Sequence, residues 1–179
     1  MEIIKTKSDL KKTLNYEKQF YQFKDKFSFG YCSSEKKILW KYVRVLRKTE
    51  YYHNTNKKLL LLFSRIRKKR LENKYKILIP INVCDIGLRI NHLGVIRLSA
   101  EKIGKNCTIA GSAFCIKNGF KEGNPIIGDN CFIGMNSILI GPIQIGDNCL
   151  IGAGSVVTKS FESNCIIAKN PAVIIKKRD

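Results

Sequence analysis

The sequence predicts a mainly β protein in which residues 76–179 wind into a parallel β-helix and residues 1–75 form an α-helical region. An aliphatic residue recurs every six residues through the second half, and the first half lacks that period. A spacing of six fits neither the 3.6-residue period of a helix nor the two-residue period of an ordinary strand. It suits a three-sided prism, in which each hexapeptide supplies one flat face and one corner.

The aliphatic residues of the repeat are predicted to point into the narrow core of this prism. Six of them stand at unbroken six-residue intervals, and two upstream residues share their frame: Ile127, Ile133, Leu139, Ile145, Ile151 and Val157, with Ile103 and Ile109 before them. Residues 117–125 have no inward aliphatic. They are expected to form a loop that projects from a corner of the prism. Such loops often carry functional residues, and an insertion without function is the alternative.

The corners and the small positions of the repeat also have a physical interpretation. Asparagine tolerates left-handed backbone angles, which a tight corner requires. Four asparagines occupy the corner slot: Asn106, Asn130, Asn136 and Asn148. The position four residues after each aliphatic must be small, and Cys107, Cys131 and Cys149 fill it. These cysteines are therefore interpreted as buried filler.

Residues 1–75 are expected to contain three helices. Helical spacing of apolar residues runs through three segments, 10–27, 39–46 and 59–66. Breaks between the helices are expected at residues 30–34, where Gly30 precedes a Cys-Ser-Ser segment, and at residues 54–56. His53, beside the second break, is interpreted as a surface histidine in a turn.

The positive charge is concentrated in this helical region. Residues 1–75 hold 21 basic and 7 acidic side chains, within a chain of net charge +19. Such a surface favours an anionic membrane, an acidic glycan or a nucleic acid as partner. The third helix suits either peripheral contact with an anionic membrane or a solvated face, and both interpretations stay open. Nucleic acid is not expected as a partner, because no recognised binding motif accompanies the charge.

The composition of the sequence limits where the protein is expected to work and which disulfide or metal sites it could contain. No apolar run reaches transmembrane length, and residues 1–5 lack the core of a signal peptide, so a cytoplasmic protein is expected, at most docked on the inner face of the membrane. Seven cysteines without a CxxC pair disfavour a disulfide framework or a zinc ribbon. A zinc lyase on a β-helix needs three histidines, and the predicted prism has one, His92, so no metal is expected.

Four stretches of the second half resemble the hexapeptide-repeat acyltransferases, in particular their serine acetyltransferase-like branch. They are residues 87–94 (GLRINHLG), 103–109 (IGKNCTI), 151–159 (IGAGSVVTK) and 168–172 (AKNPA), within a similarity that covers about residues 79–175. The helical N-terminus is also similar to acetyltransferases found with surface-polysaccharide assembly genes. The resemblance implies a left-handed coil, a homotrimer, and acetyl-CoA bound as co-substrate in the groove between neighbouring prisms.

The resemblance also implies roles for particular residues. His92 matches the general base, which removes the proton of an acceptor hydroxyl so that the oxygen attacks the thioester directly. Ala153 matches the residue whose backbone meets the pantetheine arm, and Thr158 and Lys159 match the pair at the far end of acetyl-CoA. Lys176 matches a basic residue near the nucleotide phosphates. For either lysine the alternative is a plain surface charge.

Two departures from the family concern the surroundings of His92. The aspartate that the family places about fifteen residues upstream is missing, so Asn82 or Asp85 is expected to orient the imidazole instead. Arg97 stands where an aliphatic residue is typical, and the segment leading to Ile103 looks one residue short. The first coil is therefore expected to be irregular.

A third departure concerns the acceptor. Where serine acetyltransferases carry an Arg-His-Pro element at the end of the loop, this chain has Gly123-Asn124-Pro125. A carboxylate on the acceptor would lose charge-assisted hydrogen bonds there, which disfavours free serine and favours a neutral hydroxyl, with Asn124 as a candidate contact.

The function expected is acetyl transfer to a sugar hydroxyl of a surface polysaccharide or its precursor. A serine O-acetyltransferase and a non-catalytic β-helix scaffold are the alternatives.

Overall fold

The structure is a computed structural model that describes residues 3–21, 31–117, 119 and 122–178. Three helices come first: α1 (Lys7–Lys18, followed by a 3-10 turn, Gln19–Tyr21), α2 (Tyr31–Asn54) and α3 (Lys58–Tyr75). The described residues then form fourteen short strands: β1 (Ile77–Leu78), β2 (Arg89–Ile90), β3 (Ile96–Leu98), β4 (Lys102–Ile103), β5 (Thr108–Ile109), β6 (Ala113–Ile116), β7 (Ile126–Ile127), β8 (Phe132–Ile133), β9 (Ser137–Ile140), β10 (Gln144–Ile145), β11 (Leu150–Ile151), β12 (Val156–Val157), β13 (Cys165–Ala168) and β14 (Val173–Lys177).

The strands build a three-sided prism of stacked coils. Face 1 has the order β1-β3-β6-β9-β12, face 2 has β4-β7-β10, and face 3 has β2-β5-β8-β11-β13 with β14 at its end. Within each face neighbouring strands are parallel, except that β14 pairs with β13 in the antiparallel sense. This is the left-handed parallel β-helix with a helical N-terminal region that the six-residue period and the family resemblance predict.

The core of the prism is the column of aliphatic residues that the sequence predicts. All eight members of the predicted series are at most 2% exposed. The predicted corner asparagines have φ angles of 56° or 57°, and Asn82 and Asn164 adopt the same conformation at 55° and 60°. Asparagine therefore recurs where the chain turns, because its side chain tolerates the left-handed region and can bond its counterpart in the next coil, as Asn148 Nδ2 does to Asn164 Oδ1 at 3.0 Å.

The cysteines of the repeat are buried filler, as predicted. The thiols of Cys107, Cys131 and Cys149 are at most 1% exposed and donate to main-chain carbonyl oxygens of the adjacent coil at 3.1 to 3.2 Å. Burial raises the pKa of Cys149 to about 11 and that of Cys115 to about 12. The thiols of Cys149 and Cys115 are therefore protonated near neutral pH and poor nucleophiles.

The first coil is irregular at the predicted place. Arg97 lies on the outside of β3, and the core position is taken by Leu98, which pairs with Cys115 of the next coil. Leu98 stands five residues before Ile103 instead of six. The frame therefore slips by one residue, and the arginine faces solvent.

The helices differ from the sequence prediction at the end of the first and at the start of the second. Helix α1 ends at Lys18 and is followed by the 3-10 turn to Tyr21, and residues 22–27 of the first predicted segment lie outside the described residues. The break between the second and third helices is confirmed, because α2 ends at Asn54 and Asn56 has a φ of 52°. The break assigned to the Cys-Ser-Ser segment is wrong, since α2 already begins at Tyr31, while Gly30 lies outside the described residues. Serine is unfavourable in a helix interior but well tolerated near a helix start. His53 lies in the last turn of α2 and not in a turn beyond it.

The helices cover the open end of the prism. The first coil of a solenoid exposes backbone groups that no preceding coil can pair. Arg47 donates to the carbonyl oxygens of Cys84 (2.8 Å) and Asp85 (2.7 Å), and Glu17 accepts from the N–H groups of Gly87 (3.0 Å) and Leu88 (3.1 Å). The end coil is thus satisfied by side chains from α1 and α2.

The two side chains that cap this coil also bind one another. Arg47 forms buried ion pairs with Glu17 at 2.6 Å and with Glu50 at 3.0 Å. Although burial opposes a charge here, the carboxylates of Glu50 and Glu17 hold the pKa of Arg47 well above its ordinary value. One continuous apolar core runs from α2 into the coils. The secondary structure changes from helix to strand between Tyr75 and Ile77.

No helix within the described ranges is both long and apolar enough to cross a bilayer.

Candidate active site

The predicted base, His92, and one of the predicted cofactor residues, Ala153, lie along the same corner of the prism. Ile90, Ile109, Ile133 and Ile151 pair in register along face 3. The residues two positions after each therefore follow one another along the corner between face 3 and face 1: His92, Gly111, Met135 and Ala153. We call this corner the His92 edge. Three coil spacings separate His92 from Ala153, which is about 14 Å at roughly 4.8 Å per strand.

His92 presents an exposed imidazole backed by a carboxylate. Its side chain is 56% exposed, and its Nδ1 lies 3.5 Å from Oε2 of Glu35, which is 11% exposed. The other Glu35 oxygen accepts a hydrogen bond from the N–H of Leu93 at 2.5 Å. Glu35 is thus fixed by the backbone next to His92, and Nδ1 faces it. This leaves Nε2 as the nitrogen that can take a proton from a bound molecule.

Two glycines keep the chain close together around His92. A Cβ at Gly94 would lie 2.5 Å from Oγ and 2.8 Å from the backbone N of Ser112, so only glycine permits this approach. A Cβ at Gly111 would meet Met135 Cε at 3.0 Å and His92 Cβ at 3.6 Å. The chain is therefore closely packed beside the imidazole, and the Met135 side chain lies next to Gly111 on the same edge.

The structure puts the two expected orienting residues, Asn82 and Asp85, at the other two corners. Asn82 lies between face 1 and face 2, where its side-chain amide exchanges hydrogen bonds with Asn54 at 2.8 and 3.1 Å. Asp85 lies between face 2 and face 3, is 3% exposed, and accepts from the N–H of Ile86 at 2.8 Å. One hexapeptide carries the chain to the next corner, so neither residue shares a corner with His92. The carboxylate beside the imidazole is Glu35.

Sequence reasoning missed Glu35 because no local pattern marks it. The residue lies on α2, 57 positions before His92, and the contact depends on how the helix covers the first coil. The one available signal is that α2 carries only two acidic side chains, Glu35 and Glu50, within a strongly basic sequence.

The loop that holds Asn124 leaves the prism at a different corner. It runs from the end of β6 on face 1 to the start of β7 on face 2. Gly123 has a φ of 107°, and a Cβ there would lie 2.9 Å from Cβ of Pro142, so the loop end is held against the coil. Asn124 is half-buried and is not brought to the His92 edge of its own chain.

The predicted cofactor residues lie on separate parts of the last coils. Ala153 is exposed on the His92 edge, next to Gly154, whose φ is 68°. Thr158 and Lys159 are exposed at the corner between face 1 and face 2, where Lys159 Nζ lies 5.6 Å from the ring centroid of Phe161. Lys176 is exposed on β14. Within one chain, therefore, only Ala153 shares the edge of the base.

Across the described ranges, no group of three histidine, cysteine, aspartate or glutamate side chains could hold a metal ion.

Known protein sequences are similar to the repeat region of this chain. Residues 126–159 match the family model described as the hexapeptide repeat of succinyl-transferase. The bifunctional protein GlmU of Bartonella bacilliformis is 37% identical over 90 residues, which is 50% of this chain and 20% of that protein. GlmU of Pseudoalteromonas atlantica is 45% identical over 74 residues, 41% of this chain and 16% of that protein. The chain thus spans at most about a fifth of the length of these relatives.

Solved structures match the whole architecture. Serine acetyltransferase from Brucella abortus superposes with a TM-score of 0.75 at 19% identity, covering 97% of this chain and 71% of that one. The same enzyme in complex with coenzyme A gives 0.71 at 20% identity, covering 97% and 70%. Neisseria gonorrhoeae serine acetyltransferase in complex with serine gives 0.67 at 21% identity, covering 93% and 69%. The chain therefore has the left-handed β-helix fold of the hexapeptide-repeat acyltransferases.

Proposed function

We propose that the protein is an acetyl-CoA-dependent O-acetyltransferase with His92 as its general base. The observation that carries the proposal is the exposed imidazole with Glu35 behind it, on the same prism edge as Ala153. The coenzyme A complex of a serine acetyltransferase with this architecture supports acetyl-CoA as the donor.

The residues of the edge suit direct transfer in a ternary complex. Nε2 of His92 takes the proton of the acceptor hydroxyl as its oxygen attacks the thioester carbonyl carbon. Glu35, facing Nδ1, stabilises the imidazolium that forms. When the carbon–sulfur bond breaks, the imidazolium returns the proton to the departing thiolate, so His92 ends the cycle neutral. A backbone N–H holds the oxyanion of the tetrahedral intermediate.

A homotrimer completes the site in this proposal. The outward side chains of face 1 include Phe114, Ile138 and Val156, an apolar row that is half-buried in the single chain. Packing a neighbouring prism on this row would cover it and form a groove along the His92 edge. Asn124, Thr158 and Lys159, which lie at the other end of face 1, would then reach the groove from the neighbouring subunit.

The proposed acceptor is a neutral hydroxyl, with a sugar of a surface polysaccharide or its precursor as the leading candidate. The segment Gly123-Asn124-Pro125 offers an amide and no cation for a carboxylate, which supports this assignment. Free serine is the second candidate, because the solved proteins that share the architecture include a serine acetyltransferase in complex with serine.

We further propose that the enzyme works in the cytoplasm, at the inner face of an anionic membrane. The support for this location is the excess of basic side chains in residues 1–75.

An acceptor panel tests the proposed function. The protein is incubated with acetyl-CoA and either serine or neutral mono- and oligosaccharides, and both free coenzyme A and acetylated product are measured. Acetylated sugar without acetylserine is the expected result. Acetylserine as the main product would favour the second candidate, and no release of coenzyme A above the blank with any acceptor would favour a scaffold.

A further inference from the structure

Helix α3 turns an apolar stripe away from the protein. Leu59, Leu62, Phe63 and Ile66 follow the spacing i, i+3, i+4, i+7, which places them on one side of the helix. Their exposures are 75%, 55%, 68% and 44%. We call these four residues the α3 stripe.

The opposite side of α3 attaches the helix to the rest of the chain. Lys68, Leu71 and Glu72 are buried there, and Lys68 pairs with Glu72. The packing of α3 therefore does not need the stripe. Large apolar side chains grouped on a monomer surface usually mark a contact with something else.

Cations surround the stripe. A groove between the antiparallel helices α2 and α3 has Val45, Leu60 and Phe63 among its apolar lining, and it is rimmed by four basic side chains: Lys41, Arg44, Lys48 and Arg67. Among the residues that the structure describes, no carboxylate lines this groove. Further basic residues of α3 flank the stripe on its other side: Lys58, Arg65 and Lys69.

The acidic residues nearby are already engaged. Residues 31–75 contain 14 basic and 3 acidic side chains. Glu35 accepts from the N–H of Leu93, Glu50 pairs with Arg47, and Glu72 pairs with Lys68. These three carboxylates therefore do not neutralise the basic side chains around the stripe, which can attract an anionic partner.

We propose that the α3 stripe and the basic groove form a docking surface for a membrane that contains anionic phospholipids. The stripe enters the boundary between headgroups and acyl chains, and the groove cations meet headgroup phosphates. A second copy of the chain fits less well, because a two-fold contact would bring two cationic rims together. A nucleic acid would satisfy the cations but leave the stripe in water.

The docking surface and Glu35 lie on opposite sides of α2. The groove cations Lys41, Arg44 and Lys48 follow Glu35 by 6, 9 and 13 positions in the helix. At 3.6 residues per turn, these offsets place all three cations on the side of α2 that faces away from Glu35 and His92. Membrane contact at α3 therefore leaves the His92 edge open, and it does not depend on the acetyl-transfer reaction.

Vesicle co-sedimentation of the full chain tests the docking surface. Vesicles of phosphatidylglycerol mixed with phosphatidylcholine are compared with pure phosphatidylcholine at low and high salt. Two double variants are used: Leu59→Ser with Phe63→Ser, and Arg44→Glu with Arg67→Glu. The matched control changes an exposed apolar and an exposed basic residue elsewhere, Ile174→Ser with Lys102→Glu. Circular dichroism checks that each variant is folded.

The expected result is salt-sensitive binding to the anionic vesicles, weakened at least about tenfold by either double variant and unchanged in the control. Equal binding to both vesicle types would overturn the proposal. So would full binding by the Leu59→Ser, Phe63→Ser variant. If the wild type ignores vesicles and the same variant has a smaller oligomeric mass, the stripe is a contact between copies. Salt-sensitive oligonucleotide binding without vesicle binding would assign the surface to nucleic acid.

Discussion

Glu35 lies beside the imidazole of His92, with Oε2 3.5 Å from Nδ1, so in the proposed mechanism Nε2 is the nitrogen that acts as the base. Changing Glu35 to glutamine keeps the shape but removes the charge that stabilises the imidazolium. We expect Glu35→Gln to lower kcat by about 10- to 100-fold, while the KM for acetyl-CoA stays unchanged.

Steady-state kinetics of this variant, with Glu35→Asp and the exposed control Glu101→Gln beside it, check the role. Partial recovery in Glu35→Asp and full activity in Glu101→Gln are expected. A purely structural role would instead lower the melting temperature and raise KM along with the fall in kcat. An unchanged kcat would remove Glu35 from the mechanism.

The candidate site was only partly accessible to sequence reasoning. His92 and Ala153 could be assigned because each lies in a local stretch that resembles the family, and the six-residue period then places them on one edge. Glu35 could not, because its contact joins α2 to a coil 57 residues later. Asn82 and Asp85 are close enough to His92 along the chain to be plausible partners of the imidazole. Each hexapeptide turns the chain to another corner, however, so neither residue lies at the corner of His92.

At the scale of elements, Arg47 joins α1, α2 and the first coil. Replacing it with methionine leaves the buried Glu17 and Glu50 without their cation and two carbonyl oxygens without a donor. We expect Arg47→Met to lower the free energy of unfolding by about 3 to 5 kcal/mol. Urea denaturation measures this, with the exposed Lys102→Met expected to change stability by less than about 0.5 kcal/mol.

A double variant separates the buried charge from packing. Arg47→Met together with Glu17→Gln removes one of the uncompensated carboxylates, so it should recover part of the lost stability. If the single variant were as stable as the wild type, the network would not be what fixes the helices on the prism.

The cysteines of the coils predict an alkaline loss of stability. Burial raises the pKa of Cys149 to about 11 and of Cys115 to about 12, whereas a thiol in the unfolded chain ionises near 8.5. Below that pH both states are protonated and these thiols add no pH dependence. Above it only the unfolded chain ionises, so stability falls as the pH rises from about 8.5 toward 11.

Urea denaturation across this pH range, on the wild type and on Cys149→Ala, measures the effect. Alanine occupies the equivalent small position at Ala113 and has no proton to lose. The fall in stability should therefore be shallower in the variant. Identical slopes in the two proteins would show that Cys149 ionises equally easily in the folded state.

At the scale of the whole molecule, the apolar row on face 1 predicts the oligomer. We expect light scattering to give three times the 20.4 kDa chain mass. Ile138→Asp places a charge in the proposed contact, so it should yield folded monomers with little acetyl transfer. A monomeric wild-type protein with full activity would contradict the shared groove.

The sequence predicts the prism well, but it does not predict how the helices attach to the prism. Each coil contacts only its neighbours, so the same residue types recur at the same positions and a period reveals the whole architecture. The covering of the first coil is made once, by Glu17 and Arg47 from two helices, and has no repeat to reveal it. The start of α2 was misplaced for a similar reason, because a short polar segment fits a turn and a helix start equally well.

The role of His92 as the general base is tested most directly by the acetyl-transfer rate of His92→Ala, measured together with acetyl-CoA binding by isothermal titration calorimetry. His53→Ala is the matched histidine control. We expect His92→Ala to bind acetyl-CoA like the wild type but to transfer acetyl at least about a hundredfold more slowly, while His53→Ala is fully active. Wild-type turnover by His92→Ala would contradict this role.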